Sequence, residues 1–470
     1  LPVDKDWLKR AADIVGPDGI LSNVSDLEAY GHDEYALDTY VQLPKSVAKP
    51  ATEEQVAGIV QLCAETGVPV TARGGGTGLS AACVSDPHGI VLSLERLNKL
   101  IQADPDNYAI TVQAGFTLEQ INKAAEDIGL FFPPHPGDES AMAGGMVATN
   151  AGGARAVKYG TIKRFVLGLQ VVLASGETVE LGGSFMKSSI GYGLMELMIG
   201  SEGTLGIITR VTLALLPKPG SIQTVLAPFD TVSAAIESVP AILNRGIIPF
   251  AVEFVERSAI ACAERLVDKS WPARQGPASL LLMLDGPDEE FVLSQAGAIA
   301  EVMEERGALD ILLADNRERQ EEILGIRSMI YEALRPGTVE LFDVCVPRSQ
   351  IAGHVEFVHD LEQKYQVPLP TYGHAADGNV HTNFMRTRLE DGVLGQEIPD
   401  WQSKHEAVRR EIFDDVIRRK GNISGEHGIG LAKRDYLANN IGQTNVALMR
   451  SIKKALDPKG ILNPGKIFTL

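Results

Sequence analysis

Two short stretches hold the side chains best suited to chemistry. Residues 371–384 read Thr-Tyr-Gly-His-Ala-Ala-Asp-Gly-Asn-Val-His-Thr-Asn-Phe. Asp377-Gly378 is a strong signal for a two-residue hairpin turn. A hairpin centred there pairs residue 376 with 379, 375 with 380, and His374 with His381. Directly opposed residues place their Cβ atoms ~4.5–5.5 Å apart, so both imidazoles could reach one cation at ~2.0–2.1 Å each. The second stretch is Gly425-Glu426-His427-Gly428. Glu426 could add an anionic third ligand, giving a two-histidine, one-carboxylate site with an open position, and His427 would remain as a base. Such a cation lowers the pKa of a bound hydroxyl, and an imidazole takes the proton near neutral pH. A pair of structural histidines at a turn fits the same spacing, and these residues alone leave both readings open.

Three glycine-rich stretches suggest a second ligand. Arg73-Gly74-Gly75-Gly76-Thr77-Gly78 follows a strand-like Val68-Pro69-Val70-Thr71. Consecutive glycines let several backbone N–H groups converge on one anion, such as a pyrophosphate. The loop lacks the Gly-Lys-Ser/Thr of a nucleotide-triphosphate loop, and no helix with a following acidic residue makes it a dinucleotide fingerprint. Alone it could be an ordinary turn. Residues 133–153 form a second cluster dominated by small side chains, as a flat ring system packed against backbone would require. Ile199-Gly200-Ser201-Glu202-Gly203-Thr204-Leu205-Gly206-Ile207 is the third. Three such clusters are poorly explained as turns.

Residues 45–216 thereby resemble the FAD-binding domain of the vanillyl-alcohol oxidase/p-cresol methylhydroxylase superfamily. Arg73–Leu79, Thr149-Asn150-Ala151-Gly152-Gly153 and Gly200–Ile207 carry the likeness. It continues to the C-terminus through Gly373-His374, Gly425–Gly430 and Leu462-Asn463-Pro464-Gly465-Lys466. The combination is most similar to the D-2-hydroxy-acid dehydrogenase branch: D-lactate dehydrogenases, glycolate oxidase flavin subunits and D-2-hydroxyglutarate dehydrogenases. The resemblance implies an α+β fold: a two-part FAD-binding domain, a substrate (cap) domain with an antiparallel sheet, and a helical C-terminal segment. It implies pyrophosphate contacts from Gly74, Gly75, Gly76, Thr77 and Gly78, with Arg73 and Leu79 at the ends of that loop as further cofactor-binding residues. Flavin contacts would come from Gly137, Gly144, Gly145, Thr149, Gly152, Gly203, Gly206 and Ile207, with Asn463 returning to the flavin. FAD is expected to be non-covalent, His135 being the nearest candidate for attachment. The resemblance likewise makes His374, His381 and Glu426 the metal ligands and His427 the catalytic base. Zn²⁺, Fe²⁺ and Mn²⁺ all accept such ligands.

Hydride would pass from C2 of a 2-hydroxy acid to the flavin. Arg327 matches the family's carboxylate-binding arginine, although an exposed helical arginine reads the same way. Asn383 and Tyr331 are further substrate-side candidates. Tyr331 stands where the hydroxyglutarate branch has threonine, and Glu340-Leu341-Phe342-Asp343 lacks that branch's lysine. A second substrate carboxylate would be left unpaired, which is costly in a desolvated pocket, so D-lactate is favoured over D-2-hydroxyglutarate or glycolate. A metal-free flavin oxidase of another alcohol would lack the His374/His381/Glu426 cluster. No second redox centre is visible, so electrons are expected to leave through an electron-transfer flavoprotein, an Fe–S partner subunit or a quinone. A homodimer is open.

The composition limits the partners. With 61 acidic and 43 basic residues the net charge is −18, which disfavours nucleic acid and anionic bilayers. No apolar run reaches the ~18 residues of a membrane span, and Leu1-Pro2-Val3-Asp4-Lys5-Asp6 does not read as a signal peptide. Four scattered cysteines without a CxxC argue against a disulfide framework, a zinc ribbon or an Fe–S cluster, and a cytoplasmic location is expected.

The elements that must position these groups show in the periodicity. A helix is predicted over 53–66, and strands over 90–94, 108–113 and 207–215. Thr117-Leu118-Glu119-Gln120 reads as a capping box opening a helix to about Ile128. Ser175-Gly176 reads as the turn of a hairpin between 166–173 and 177–181. Leu216-Pro217-Lys218-Pro219-Gly220 is rich in breakers and marks a boundary. Beyond it, helices are predicted at 231–244 and 290–306, strands at 279–284 and 339–346, and mainly helix after about residue 400. The expected domains are 1–218 for FAD, 219–420 for the substrate and its metal hairpin, and 421–470 returning to the flavin.

Overall fold

The computed structural model describes residues 3–35, 38–314 and 316–470. The chain forms two compact bodies: residues 1–152, 161–218 and 426–470, and residues 153–160 and 219–425.

In the first body, the helix Glu53–Thr66 forms as its pattern requires. Thr52 caps it by accepting from the Gln55 N–H, Gly67 ends it in a left-handed conformation, and Val56, Ile59, Val60 and Cys63 fall on one buried stripe. That stripe joins Trp7, Ala11 and Val15 of the helix Lys5–Val15 in one apolar core. The core also takes in Val70, Ile90 and Leu92 from a small sheet. Its strands are β1 (Ile20–Leu21), β2 (Val47–Ala48), β3 (Val70–Arg73) and β4 (Ile90–Ser93), ordered β1-β2-β4-β3. The pairs β2–β4 and β3–β4 are parallel. Parallel pairing needs a crossover connection, which the helix Glu53–Thr66 supplies between β2 and β3.

An antiparallel sheet completes this body. It contains β5 (Leu100–Asp104), β6 (Ala109–Gln113), β8 (Val166–Val172), β9 (Thr178–Gly182) and β10 (Ile207–Ala214), ordered β5-β6-β10-β8-β9; the short β7 (Leu130–Phe131) pairs instead with β11 (Leu216–Pro217). The predicted capping box is present at Thr117 and Gln120. The β8–β9 hairpin turns through Ser175-Gly176 as expected. The C-terminal segment is built into the same body: Leu462 bridges Val70 in parallel, and the Asn463 N–H donates to the Val70 carbonyl at 2.8 Å.

The second body rests on one seven-stranded sheet. Its strands are β12 (Ser221–Phe229), β13 (Ala251–Glu256), β14 (Ala278–Gly286), β15 (Leu312–Ala314), β16 (Thr338–Cys345), β17 (Thr371–His374) and β18 (Asn379–Met385). The order is β15-β12-β14-β13-β17-β18-β16, with every adjacent pair antiparallel. Side chains alternate between faces with period two. One face therefore takes Glu253, Tyr372, His374, Asn379, His381, Asn383 and Asp343, because the register aligns Glu253 with His374, Tyr372 with His381, and Asp343 with His381. An antiparallel sheet with a polar stripe across its central strands is built to present chemistry there. Among the described residues no helix is long and apolar enough to cross a membrane.

Candidate active site

The histidine hairpin differs from its predicted register. The turn has four residues, Ala375-Ala376-Asp377-Gly378, so His374 pairs with Asn379 and His381 pairs with Tyr372. The physical reason is tertiary. The Ala375 N–H is taken by the Val252 carbonyl of β13, and the Val346 N–H is bonded to the Gly378 carbonyl. Asp377 and Gly378 thus close the end of a wider loop and do not form its two-residue centre. A shift of two residues leaves each side chain on its face. His374 and His381 become diagonal neighbours, a relation still within reach of long side chains. Their ring centroids lie 5.3 Å apart, nearly perpendicular.

Both rings sit among buried carboxylates from distant strands. Glu253 of β13 accepts from His374 Nδ1 and from Arg327 Nη2. A carboxylate at Nδ1 fixes the orientation of the ring. Burial pushes the Glu253 carboxyl up, but the His374 imidazole and the Arg327 guanidinium outweigh it and hold it down at about 2. Asp343 of β16 is fully buried. Its Oδ1 accepts from Asn379 Nδ2 at 2.8 Å and lies 4.0 Å from His381 Nδ1. Its Oδ2 accepts from Ser424 Oγ and the Gly425 N–H, each at 3.0 Å. Asn379 also donates to the Val344 carbonyl at 2.8 Å.

The expected substrate-side residues lie as follows. Arg327, on the helix Arg317–Ser328, spends Nη2 on Glu253 and stacks over the Tyr372 ring, 5.1 Å from its centroid. Its Nη2 is therefore committed to Glu253, a carboxylate it shares with His374. Asn383 stands two residues beyond His381 on the same face, fully buried, and donates to Thr338 Oγ1 at 3.0 Å. Tyr331 is half-buried on the short helix Ile330–Leu334.

In the first body, the glycine loops sort by what surrounds them. A Cβ at Gly145 or at Gly137 would meet nothing within 4 Å, so both border open space. A Cβ at Gly144 would come 2.7 Å from Ala114 Cβ, and one at Gly206 would come 2.4 Å from Val171 Cγ1, so the protein's own packing requires these two. Arg73 does not extend outward. Nη1 donates to the His32 carbonyl at 2.6 Å and Nη2 to the Ala29 carbonyl at 3.1 Å. The guanidinium fills the space beneath Gly76, where a Cβ would lie 2.0 Å from Nη2. Arg73 thus braces the loop from behind. Thr149 Oγ1 donates back to the Gly145 carbonyl at 3.1 Å. His135 faces Glu139, its Nε2 3.0 Å from the carboxylate.

Gly152, expected against the flavin, borders Glu426: a Cβ there would lie 2.7 Å from Glu426 Oε2. Glu426 Oε1 is 3.9 Å from His427 Nε2. Asn463 is buried with φ 41°, and its Nδ2 donates to the Ala82 carbonyl at 2.9 Å and the Glu202 carbonyl at 2.7 Å. Sequence reading passed over Glu202, Glu253 and Asp343. Their signal was type alone, an acidic residue in a strand or glycine loop where a structural role would use an apolar one.

Residues 218–467 match the family described as FAD linked oxidases, C-terminal domain, and residues 44–182 match the FAD binding domain. The chain belongs to the FAD-linked oxidases and is a flavoprotein oxidoreductase. Among its relatives, a D-lactate dehydrogenase of Archaeoglobus fulgidus is 40% identical over 421 residues, 90% of each chain. A D-lactate dehydrogenase of Anaerostipes hadrus is 37% identical over 460 residues, covering 96% of this chain and 95% of that one. The glycolate oxidase subunit GlcD of Bacillus subtilis is 33% identical over 473 residues, 99% and 97% of the two chains. The structure of p-cresol methylhydroxylase with substrate bound superposes with a TM-score of 0.81 at 18% identity, covering 99% of this chain and 96% of that one. At that identity the likeness concerns the fold.

The cradle fits FAD. Gly137 and Gly145 leave open room at their α-carbons, where side chains would fill it, and the 74–78 loop can turn consecutive N–H groups on a pyrophosphate.

Proposed function

We propose that the protein oxidises a D-2-hydroxy acid, D-lactate foremost, to the 2-keto acid with FAD and a divalent cation. The observation that carries this reading is the His374–His381 pair, 5.3 Å between rings, with Glu253 on His374 Nδ1. That is how metal-bound histidines are oriented. Glu426 would complete the ligand set.

Bound FAD would supply the hydride acceptor and the cation Lewis acidity. His374, His381 and Glu426 would hold the cation, and Gly74–Gly78, Gly137, Gly145 and Gly203 would border the FAD. His427 would take the substrate hydroxyl proton, and Arg327 would orient the substrate carboxylate. Asp343 is a further anion on the histidine face. It disfavours a substrate with a second carboxylate, consistent with the absence of a lysine from Glu340–Asp343. The names of the relatives support D-lactate and glycolate as the substrate class. Electrons would pass to a protein or quinone acceptor.

The test is anaerobic. D-lactate added to the holoenzyme should bleach the flavin absorption, and chelator treatment should abolish bleaching until Mn²⁺ or Zn²⁺ is restored. His427→Ala should keep FAD and lose reduction by substrate. Wild-type reduction in that variant, or faster reduction by D-2-hydroxyglutarate than by D-lactate, would overturn the respective part.

A further inference from the structure

We propose that Glu202 is a positioning residue: from the Gly200–Gly206 loop its buried carboxylate fixes the backbone of the 426–430 turn and so sets where Glu426 and His427 stand. The inference rests on the roles proposed above for those two residues.

The carboxylate is used twice. Oε1 accepts from the Ile429 N–H at 2.7 Å and Oε2 from the Gly430 N–H at 2.8 Å. Charge-assisted bonds of this kind are the stronger ones and their paired geometry fixes direction. The turn wraps the carboxylate closely: Gly428 has φ 83°, and a Cβ there would lie 2.9 Å from Glu202 Oε1. Glu202 itself adopts φ 52°, a left-handed conformation that a non-glycine residue holds only under constraint. Two bonds provide that constraint: the Glu202 N–H donates to the Ala148 carbonyl at 2.8 Å, and its carbonyl accepts from Asn463 Nδ2 at 2.7 Å.

An apolar residue would fill this place more cheaply. Glu202 is 6% exposed, and burial pushes its carboxyl up against the pull of the two N–H groups, Lys433 and Lys466. A strained, buried, desolvated carboxylate is a costly way to pack a loop, and what it gains is the placement of one backbone turn. Glu202 belongs to the loop that carries Gly203, so the proposed FAD cradle and the stance of the proposed base share one residue.

The experiment uses the holoenzyme. Glu202→Gln keeps shape but leaves one of the two N–H groups without an acceptor, because an amide nitrogen cannot accept. FAD affinity by fluorescence titration and the melting temperature should stay close to the parent. The kcat for D-lactate should fall at least tenfold with a smaller change in KM, and Mn²⁺ affinity should fall about tenfold, in line with other residues that orient ligands. A purely structural role would lower stability and FAD affinity together and leave kcat of the FAD-loaded fraction unchanged; that result overturns the inference, as does unchanged kcat and Mn²⁺ affinity. If the Gln chain does not fold, Glu202→Asp withdraws both oxygens by one carbon with the charge kept, and unchanged kcat and Mn²⁺ affinity there overturns it equally. Glu426→Gln and His427→Ala run alongside. If they stay active, the proposed function has failed; if they are inactive while Glu202→Gln is not, only the Glu202 inference has failed.

Discussion

Replacing Glu253 by Gln separates the two tasks of one buried carboxylate. Glu253 is 3% exposed and serves both Arg327 and His374. Those partners hold its carboxyl at about 2 although burial opposes them. Against an ordinary value of 4.5, the net favourable interaction at neutral pH is about 3 kcal/mol. Breaking a buried pair from one side leaves the other charge uncompensated, at about 3–5 kcal/mol, so the two routes agree. Because the folded value is depressed, this stabilisation is complete above the unfolded value and is lost as pH falls towards 2. Glu253→Gln should therefore unfold at lower urea at pH 7, with the difference shrinking as the medium is acidified below the ordinary carboxylate range. The second task is orientation of His374, whose loss should weaken the cation about 10–100-fold. The assay is Mn²⁺ and Zn²⁺ titration of FAD-loaded protein, with FAD affinity as control. Adding Arg327→Met removes the stranded guanidinium and should restore stability without restoring metal affinity. A Glu253→Gln protein that binds the cation within twofold of the parent would refute the claim that Glu253 prepares His374 as a ligand.

Substitutions at two neighbouring glycines test the cradle. Gly145→Leu places a side chain in open space, so the apoprotein should melt normally while FAD affinity falls ten- to a hundredfold, as expected for about 1–3 kcal/mol of overpacking. Gly144→Leu drives into Ala114 and should lower the melting temperature of the apoprotein itself; equal effects of the two substitutions would contradict the assignment of open space. Asp33 is buried beside the 74–78 loop, where a Cβ at Gly78 would lie 3.4 Å from its Oδ2, and burial raises its carboxyl from 3.8 to about 6 against the Tyr35 and Ala81 N–H groups and Arg73. The ionised form carries the penalty, which is absent below 3.8, grows towards 6 and is constant above. Asp33→Asn should therefore stabilise at pH 7.5 by up to ~3 kcal/mol and not at pH 3.5; an equal gain at both values would refute the cause.

Local chemistry was legible in the residues because it acts over a few positions. The Thr117 cap, the turn at Ser175-Gly176 and the apolar stripe of 53–66 are short-range preferences, and each formed where the pattern placed it. The same range explains the errors. Asp377-Gly378 has the preferences of a two-residue turn, but β13 takes the Ala375 N–H and widens the loop. The histidines stayed on one face only because the slip was even. The partners of Arg73 lie outside that range too: the carbonyls it donates to belong to Ala29 and His32, more than forty positions earlier.

The groups that give the site its electrostatics lie beyond any sequence window. Glu253 meets His374 across 121 positions, and Glu202 meets Ile429 across 227. The chain by itself determined which elements form, which face of each is apolar, and which residues are capable of acid–base and metal chemistry. Only the tertiary structure decided which carboxylate stands behind which imidazole, because the strength of a buried charge depends on partners and exclusion of water that folding alone brings together.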